Sequence, residues 1–598
     1  MDDQNKNLIL ATALSFVVIL VWFVLFPPPE PEPVPEPDAM TQNIEGEALA
    51  AAPTTADVPA SPAAQAQVRE ETLSESARIK IDTPRLIGSV SLLGGRIDDL
   101  SLKDYRETRA AGSPIVKLLS PVGTPSAYYA LYGWAPGAGL TLDDVPGANT
   151  EWVVESGDTL TADSPVTLAW DNGNGLTFRR ELAIDDEYMF TVVQSVENNT
   201  GATVSLAPYG ILARHGEPAD LKNFFILHEG VVSMADGTLA EIDYDDMLPA
   251  AEATETAISE NGWIGFTDHF WMSTLIPEPG TAFKVSALHD TTRNIFQTTA
   301  KLSTETVADG QNTSVTTQLF SGAKEWEVLR DYEKDGIQNF VDSIDWGWFF
   351  FLTKPIFWLL HNIHALIGNM GWSIIGLTLI IKAILFPLAY KSYVSMAKMK
   401  ELQPQMEKLK EAAGDDRQKM QQGMMELYKK EKVNPAAGCL PILMQIPIFF
   451  SLYKVIFVTI ELRQAPWFGP FQDLSAPDPT SIMNFFGLLP FAGPEPGTLM
   501  ATIFIGILPL LLGISMWLQQ KLNPAPTDPT QQMIFAWMPW VFMFMLGSFA
   551  SGLVVYWIAN NTITFTQQYL IMRSQGYKPD VFGNIKSGFS KKAKSEKE

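Results

Sequence analysis

The stretch Leu8 to Phe26, LILATALSFVVILVWFVLF, runs for 19 residues without a charge. At about 1.5 Å per residue, a helix of that length crosses a hydrocarbon core of roughly 30 Å. Five more apolar stretches follow late in the chain: Trp372 to Tyr390, Ala437 to Val458, Leu499 to Leu518, Met533 to Phe549 and Leu553 to Ile571. Lipid cannot hydrogen-bond a backbone, so each stretch must satisfy its own amides as a helix. The predicted fold is a multi-pass α-helical membrane protein with six transmembrane helices, the last five forming a core. A cleaved leader would need a small-x-small site just after the first stretch, whereas PPPEPEPVPEP follows it and the nearest Ala-Leu-Ala is at residues 48–50. An uncleaved anchor is expected.

Orientation follows from the basic residues of the short loops. Residues 391–435 carry ten Lys+Arg and the tail after Ile571 carries seven, while 461–498 carry only Arg463. Both termini are therefore expected in the cytoplasm. The acid sits on the other side: residues 28–345 hold 19 Lys+Arg against 50 Asp+Glu. With no basic face of any size, sequence-specific nucleic-acid binding is excluded. Cys439 is the only cysteine, and the one close histidine pair, His361 and His364, has no adjacent carboxylate. No metal or other cofactor is expected.

Residues 27–75 are mostly Pro, Ala, Glu and Thr, a composition that buries no core and reads as a tether. From about Ile79 to Leu329, runs such as LTFRRELAIDD and YMFTVVQSVENNTG alternate with Gly, Asn and Asp clusters. That pattern predicts a large all-β sandwich. Asp185-Asp186 and Asp245-Asp246 read as turns, because adjacent strand residues face opposite ways. Residues 345–364, DWGWFFFLTKPIFWLLHNIH, hold Lys354, Pro355 and both close histidines. An amphipathic helix at the outer interface is expected there rather than a seventh span, with His361 and His364 on its polar edge.

In the cytoplasmic loop, Met396, Met399, Leu402, Met406 and Leu409 recur every three or four residues, and Met420, Met424 and Leu427 do so after Gly414-Asp415-Asp416. Two antiparallel amphipathic helices are predicted, the first kinked or shifted by Pro404. Their methionines suit either adaptable binding of apolar sequences or packing of the hairpin on itself.

Lys382 falls near the middle of its span, where a charge costs about 2.5 to 3.5 kcal/mol and must face protein or water. None of the five clustered spans contains Asp or Glu. Candidate hydrogen-bond partners are Thr378, Gln445, Gln519 and Gln520, and Trp557, Asn560, Thr564 and Gln567 form a stripe on one face of the last span. Together they predict a wet, positively charged cavity in the inner half of the bilayer. Lys454 lies near the outer end of its span and reads as a snorkelling residue without a role.

SYVSMAKMKELQPQMEKLKE, LYKKEKVNPAAGCLPILMQIPIF, ELRQAPWF, DLSAPDPT and MPWVFMFMLGSFASGLVVYWIANN resemble the YidC/Oxa/Alb family over roughly residues 340–572. The anchor and large acidic domain look like the Gram-negative form, for which the resemblance implies a periplasmic β-supersandwich in the inner membrane protein. It also implies a hydrophilic groove open to the cytoplasm and lipid, lined here by Lys382 where Arg is usual. Substrate contacts would fall on Ile446, Phe449, Tyr556 and Trp557, and Pro441 and Pro447 would bend the third span. The implied function is a non-enzymatic membrane protein insertase and chaperone. Its implied partners are nascent membrane proteins, the ribosome, the Sec translocon and membrane lipid. A secondary transporter is the alternative, opposed by the missing intramembrane carboxylates and repeats. An outer carbohydrate-binding or carbohydrate-modifying protein has only the β domain in its favour. The expected layout is an anchor at 1–27, a tether at 28–78, a β domain at 79–330 and an interfacial region at 331–371. An insertase core at 372–572 with its hairpin at 391–435, and a basic tail at 573–598, complete it.

Overall fold

The computed structural model describes residues 62–577 and 579, apart from 220, 222–226, 250, 251, 254, 415, 432, 434–439, 490, 492, 495–497 and 524–528. The expected anchor at Leu8–Phe26, the tether up to residue 61 and the basic tail beyond 579 lie outside the described residues.

The last part of the expected tether is a helix, α1 (Pro62–Ser74). Arg69 docks it on the β domain by pairing with Asp99 and donating to Ser120 Oγ at 3.0 Å. Composition argued against structure here because it registers core-forming residues, and α1 is held by one arginine instead.

Among the described residues, 20 strands between Arg78 and Ala323 form an 11-stranded and a nine-stranded sheet, a large all-β domain. In the larger sheet, Tyr128–Pro136 pairs antiparallel with Val204–His215. In the smaller, Met189–Asn198 lies between Leu176–Ile184 and Gln311–Ala323. Period-two alternation turns Leu176, Phe178, Arg180, Leu182 and Ile184 inward as buried residues. Arg180 thus enters the core, where burial lowers its pKa to about 10. Its two terminal nitrogens donate to carbonyls of the opposite sheet and its approach loop, Gly95 O at 2.8 Å and Tyr132 O at 2.5 Å, which offsets part of the cost of burial. Its guanidinium also lies 4.5 Å over Trp152. Gln194 repeats the device, donating to Gly133 O at 2.9 Å. Asp185 closes a turn by accepting from the amides of Glu187 and Met189 at 2.9 and 3.0 Å.

The helices that follow are α2 (Trp326–Lys334), α3 (Phe350–Ile367), α4 (Met370–Ile384), α5 (Phe386–Ala413) and α6 (Arg417–Lys430). After them come α7 (Leu440–Val458), α8 (Leu499–Ile503), α9 (Ile507–Leu522), α10 (Pro529–Met545) and α11 (Ser551–Ser574). Among the described helices, α3 alone is by itself long and apolar enough to cross a membrane, and α4 with α5 qualifies only as a bent pair. Two expected spans are broken. Trp372–Tyr390 bends by 70° between α4 and α5, where Pro387 lacks the amide that would have bonded to Ala383 O. Leu499–Leu518 is interrupted at 504–506, and α9 restarts on a polar cap in which Asp478 accepts from Leu508 N at 2.8 Å and Thr480 Oγ1 accepts from Ile507 N at 2.9 Å. α5 continues through Pro404 to Ala413.

Candidate functional site

The helices α4, α7, α9, α10 and α11 contain no Asp or Glu. Lys382 occupies the last turn of α4, immediately before the bend, and donates to Gln445 Oε1 on α7 at 3.2 Å. The Gln445 amide in turn donates to Tyr556 OH on α11. One glutamine therefore joins three helices by using its carbonyl toward the cation and its NH₂ toward the phenol. Thr378, one turn before Lys382, spends its hydroxyl on its own helix, donating to Ile374 O at 2.7 Å. Gln520 donates to Phe535 O on α10. Gln519 sits half-buried on α9 and makes no hydrogen bond to Lys382 among the described residues.

On α11 the stripe continues inward. Asn560 is buried and reaches Asn561 Oδ1 at 3.5 Å, and Asn561 donates to Ser515 Oγ on α9 at 3.1 Å. Asn560 Oδ1 and Gln567 Oε1 are shielded from solvent and have no hydrogen-bond partner among the described residues, while Thr564 lies against the Tyr393 hydroxyl. A buried acceptor left unpaired costs about 1–3 kcal/mol, so the stripe favours water or a passing donor. Beside it, Phe449 and Trp557 stack with centroids 4.7 Å apart, and Ile446 is exposed on α7. The arrangement offers one cation, several acceptors and an aromatic wall.

The hairpin residues divide. Met396 packs with Tyr393, Ile571 and Met572 at the end of α11, joined by Met399. Leu402 and Leu427 pack with each other, with Met406 and Leu409 against them. Met420 and Met424 are half-buried, while Met425, which the periodicity had left aside, is 59% exposed. Lys400 straps α5 to α9 by donating to Lys521 O at 2.9 Å and Leu522 O at 3.1 Å, the carbonyls of a helix C-terminus.

Sequence reasoning missed how the β domain is fastened to the helices. Lys454 on α7 lies 2.5 Å from Asp345 Oδ2, so it is an anchor where snorkelling was expected. On α3, His361 Nδ1 is 2.9 Å from Glu461 and its Nε2 is 3.3 Å from Glu327 of α2. Burial raises the Glu461 pKa and His361 opposes the rise. Lys354 pairs with Asp342, while Trp348, Phe351, Trp358 and Leu366 stay exposed. Arg463 donates to Arg106 O at 2.6 Å, and Arg109 answers by donating to Gln472 O at 2.7 Å. The only signal available was the presence of these charges in segments otherwise apolar.

A two-sheet β domain fastened to apolar helices that share a carboxylate-free polar site defines a helical membrane protein with an extramembranous β domain. Two family descriptions match, YidC periplasmic domain over residues 78–359 and 60Kd inner membrane protein over residues 362–578. The membrane protein insertase YidC of Ruegeria pomeroyi is 72% identical over the whole of both chains. Its counterpart in Roseobacter denitrificans is 70% identical over the same share, and that of Cereibacter sphaeroides is 60% identical over 99% of this chain and 96% of its own. An active YidC insertase crystal structure is 17% identical, with a TM-score of 0.34, over 82% of this chain and 92% of its own. The chain belongs to the YidC family of inner-membrane protein insertases, with a periplasmic β domain.

Proposed function

We propose that the chain inserts and helps fold nascent inner-membrane proteins, alone or beside the Sec translocon, through a groove open to the cytoplasm and lipid. The observation that carries this mechanism is Lys382 held by Gln445, itself bonded to Tyr556, among helices without a carboxylate. A nascent chain leaving the ribosome meets the hairpin 391–435 through Met396, Met399, Leu402, Met406, Leu409, Met420, Met424 and Leu427. The short polar segment to be translocated then enters the groove, where Lys382, Gln519, Asn560, Thr564, Gln567 and water lower the cost of carrying polar groups into the bilayer. The following apolar segment slides past Ile446, Phe449, Tyr556 and Trp557 into lipid, and hydrophobic transfer completes the step. No covalent bond changes.

In this reading the chain has six spans, five of them forming the core at 372–572. Both termini are cytoplasmic and residues 28–345 are periplasmic. α3 lies along the outer interface, its charged pairs turned to the β domain and its exposed aromatics to lipid. The test is insertion of single-span clients into proteoliposomes containing only the purified chain. Insertion no better than in empty liposomes would sink the Sec-independent part of the reading, and uptake of a small solute by the same vesicles would favour a transporter.

A further inference from the structure

Aromatic rings continue outward from the Phe449–Trp557 pair without a gap. Trp557 meets Phe549 at 6.4 Å between centroids, Phe549 meets Tyr453 at 5.7 Å, and Tyr453 stacks on Phe457 at 5.8 Å. Phe457 then meets His269 of the β domain at 4.8 Å, and His269 stacks on Phe270 at 3.7 Å, next to Trp271 at 6.1 Å. His269 is fixed to the end of α7 by a 2.6 Å hydrogen bond between its Nε2 and Phe457 O. Spacing of four along α7 places Phe449, Tyr453 and Phe457 on one face, so the ladder follows from helical geometry and is completed by a β turn.

The outer half of this ladder lines a cavity of 840 Å³ between the β domain and the outer ends of α7 and α11. Its wall joins the rings of the ladder to the charged side chains of Arg214, Asp268, Arg463 and Asp473, and Lys117, Glu107 and Glu217 also line it. The volume is that of a site for several amino-acid side chains. Arg463 stands over Trp271 at 5.1 Å while its guanidinium donates to Arg106 O, and Arg214 pairs with Asp268 at 2.6 Å, so both arginines of the wall are already engaged within the protein.

We propose that this cavity is an outer vestibule that receives the extended polypeptide segment of a client as it leaves the membrane between α7 and α11. The periplasmic domain thereby contributes His269, Phe270 and Trp271 to the client's path. The occupant is identified by continuity. The same two helices carry the proposed client contacts deeper down, and the ladder connects the two regions ring to ring. Aromatic faces accept apolar side chains and backbone alike and impose no sequence, as a path for many clients requires. The proposal rests on the reading that clients travel along α7 and α11.

A photoreactive benzoylphenylalanine placed at Trp557, Phe270, Lys117 or Val153 in the full chain, in inner-membrane vesicles, tests it against ribosome-stalled clients of increasing length. Lys117 is exposed on the rim, so substitution there does not disturb packing, and Val153, 68% exposed on a strand away from the cavity lining, is the control. The expected result is a client adduct at Trp557 at short lengths, then adducts at Phe270 and Lys117 at longer lengths, at least fivefold above Val153. Adducts at Trp557 with none above Val153 at Phe270 and Lys117 would overturn the vestibule and leave the groove standing. Loss at Trp557 as well would overturn both. Adducts of phospholipid mass at Phe270, formed equally without a client, would show that lipid fills the cavity instead.

Discussion

Lys454 of α7 closes on Asp345 at 2.5 Å, and Asp345 also accepts the His228 amide at 3.0 Å, so one carboxylate joins an apolar helix to the β domain. The side chains are only 14% and 13% exposed. Breaking one side of such a pair strands the other, at a cost of about 3–5 kcal/mol. Lys454→Met and Asp345→Asn should each loosen the junction and speed proteolysis near residue 345, and the double variant should lose less than the two single losses added. Additive losses in a double-mutant cycle would show that the pair is not coupled.

The charge at Lys382 gives a second expectation. Lys382→Arg should insert clients normally, whereas Lys382→Glu should fail most for clients with acidic translocated tails, and Lys382→Ala should be intermediate. Paired clients differing only in tail charge, compared at matched insertase levels, provide the measurement. Equal insertion of both clients by the Glu variant would end the electrostatic account.

Asp478 starts α9 by accepting the Leu508 amide, and its other oxygen accepts from Thr480. Asp478→Ala should destabilise the chain by about 1–2 kcal/mol, the usual cost of a lost cap, while Asp478→Asn should retain most of the stability because its oxygen still accepts. Thermal unfolding in detergent should rank the wild type first, then Asn, then Ala.

His215 ends the strand Val204–His215 of the β domain and lines the cavity beside it. Burial, helped by Arg293 and Arg96, lowers its pKa from the ordinary 6.5 to about 4, and its Nε2 has no hydrogen-bond partner among the described residues. A histidine held neutral contributes stability above its unfolded pKa, and that stability is lost as pH falls through the folded value. The β domain should therefore weaken between about pH 6.5 and 4, by about 2 kcal/mol after discounting its solvent-facing part. Midpoints of thermal unfolding across that range should fall for the wild type and stay flatter for His215→Gln.

The proposed topology is checked in a Cys439→Ser background. Cysteines placed at Asn172 and Asp473 should react with an impermeant reagent from the periplasmic side, and those at Asp416 and Lys592 should not. Labelling of Asp416 from outside would reverse the orientation.

The contact between Lys382 and Gln445 was legible because both are polar exceptions in apolar runs, and helical spacing alone puts Asn560, Thr564 and Gln567 on one face. Thr378 shows the limit of such reading. Its hydroxyl could have met the cation or its own backbone, and only rotamer geometry chose Ile374 O. The bend at Leu385 was hidden because hydropathy sums Pro387 into an apolar window as if it were any other residue. The junction was least legible of all. Lys454 and Asp345 are 109 residues apart, and no local pattern pairs charges across a domain boundary.

The carboxylate-free core has a thermodynamic consequence. Among the five helices no acidic side chain can take up a proton on one face of the membrane and release it on the other, so the core holds no titrating acid with which to draw on a proton gradient. In the proposed mechanism the work comes from the passenger. Each negative charge that a client tail carries outward across an inside-negative membrane gains about 2.3 kcal/mol per 100 mV, and each buried methylene about 0.8 kcal/mol. Under that mechanism the protein would lower the barrier, and the passenger's own composition would supply the fuel.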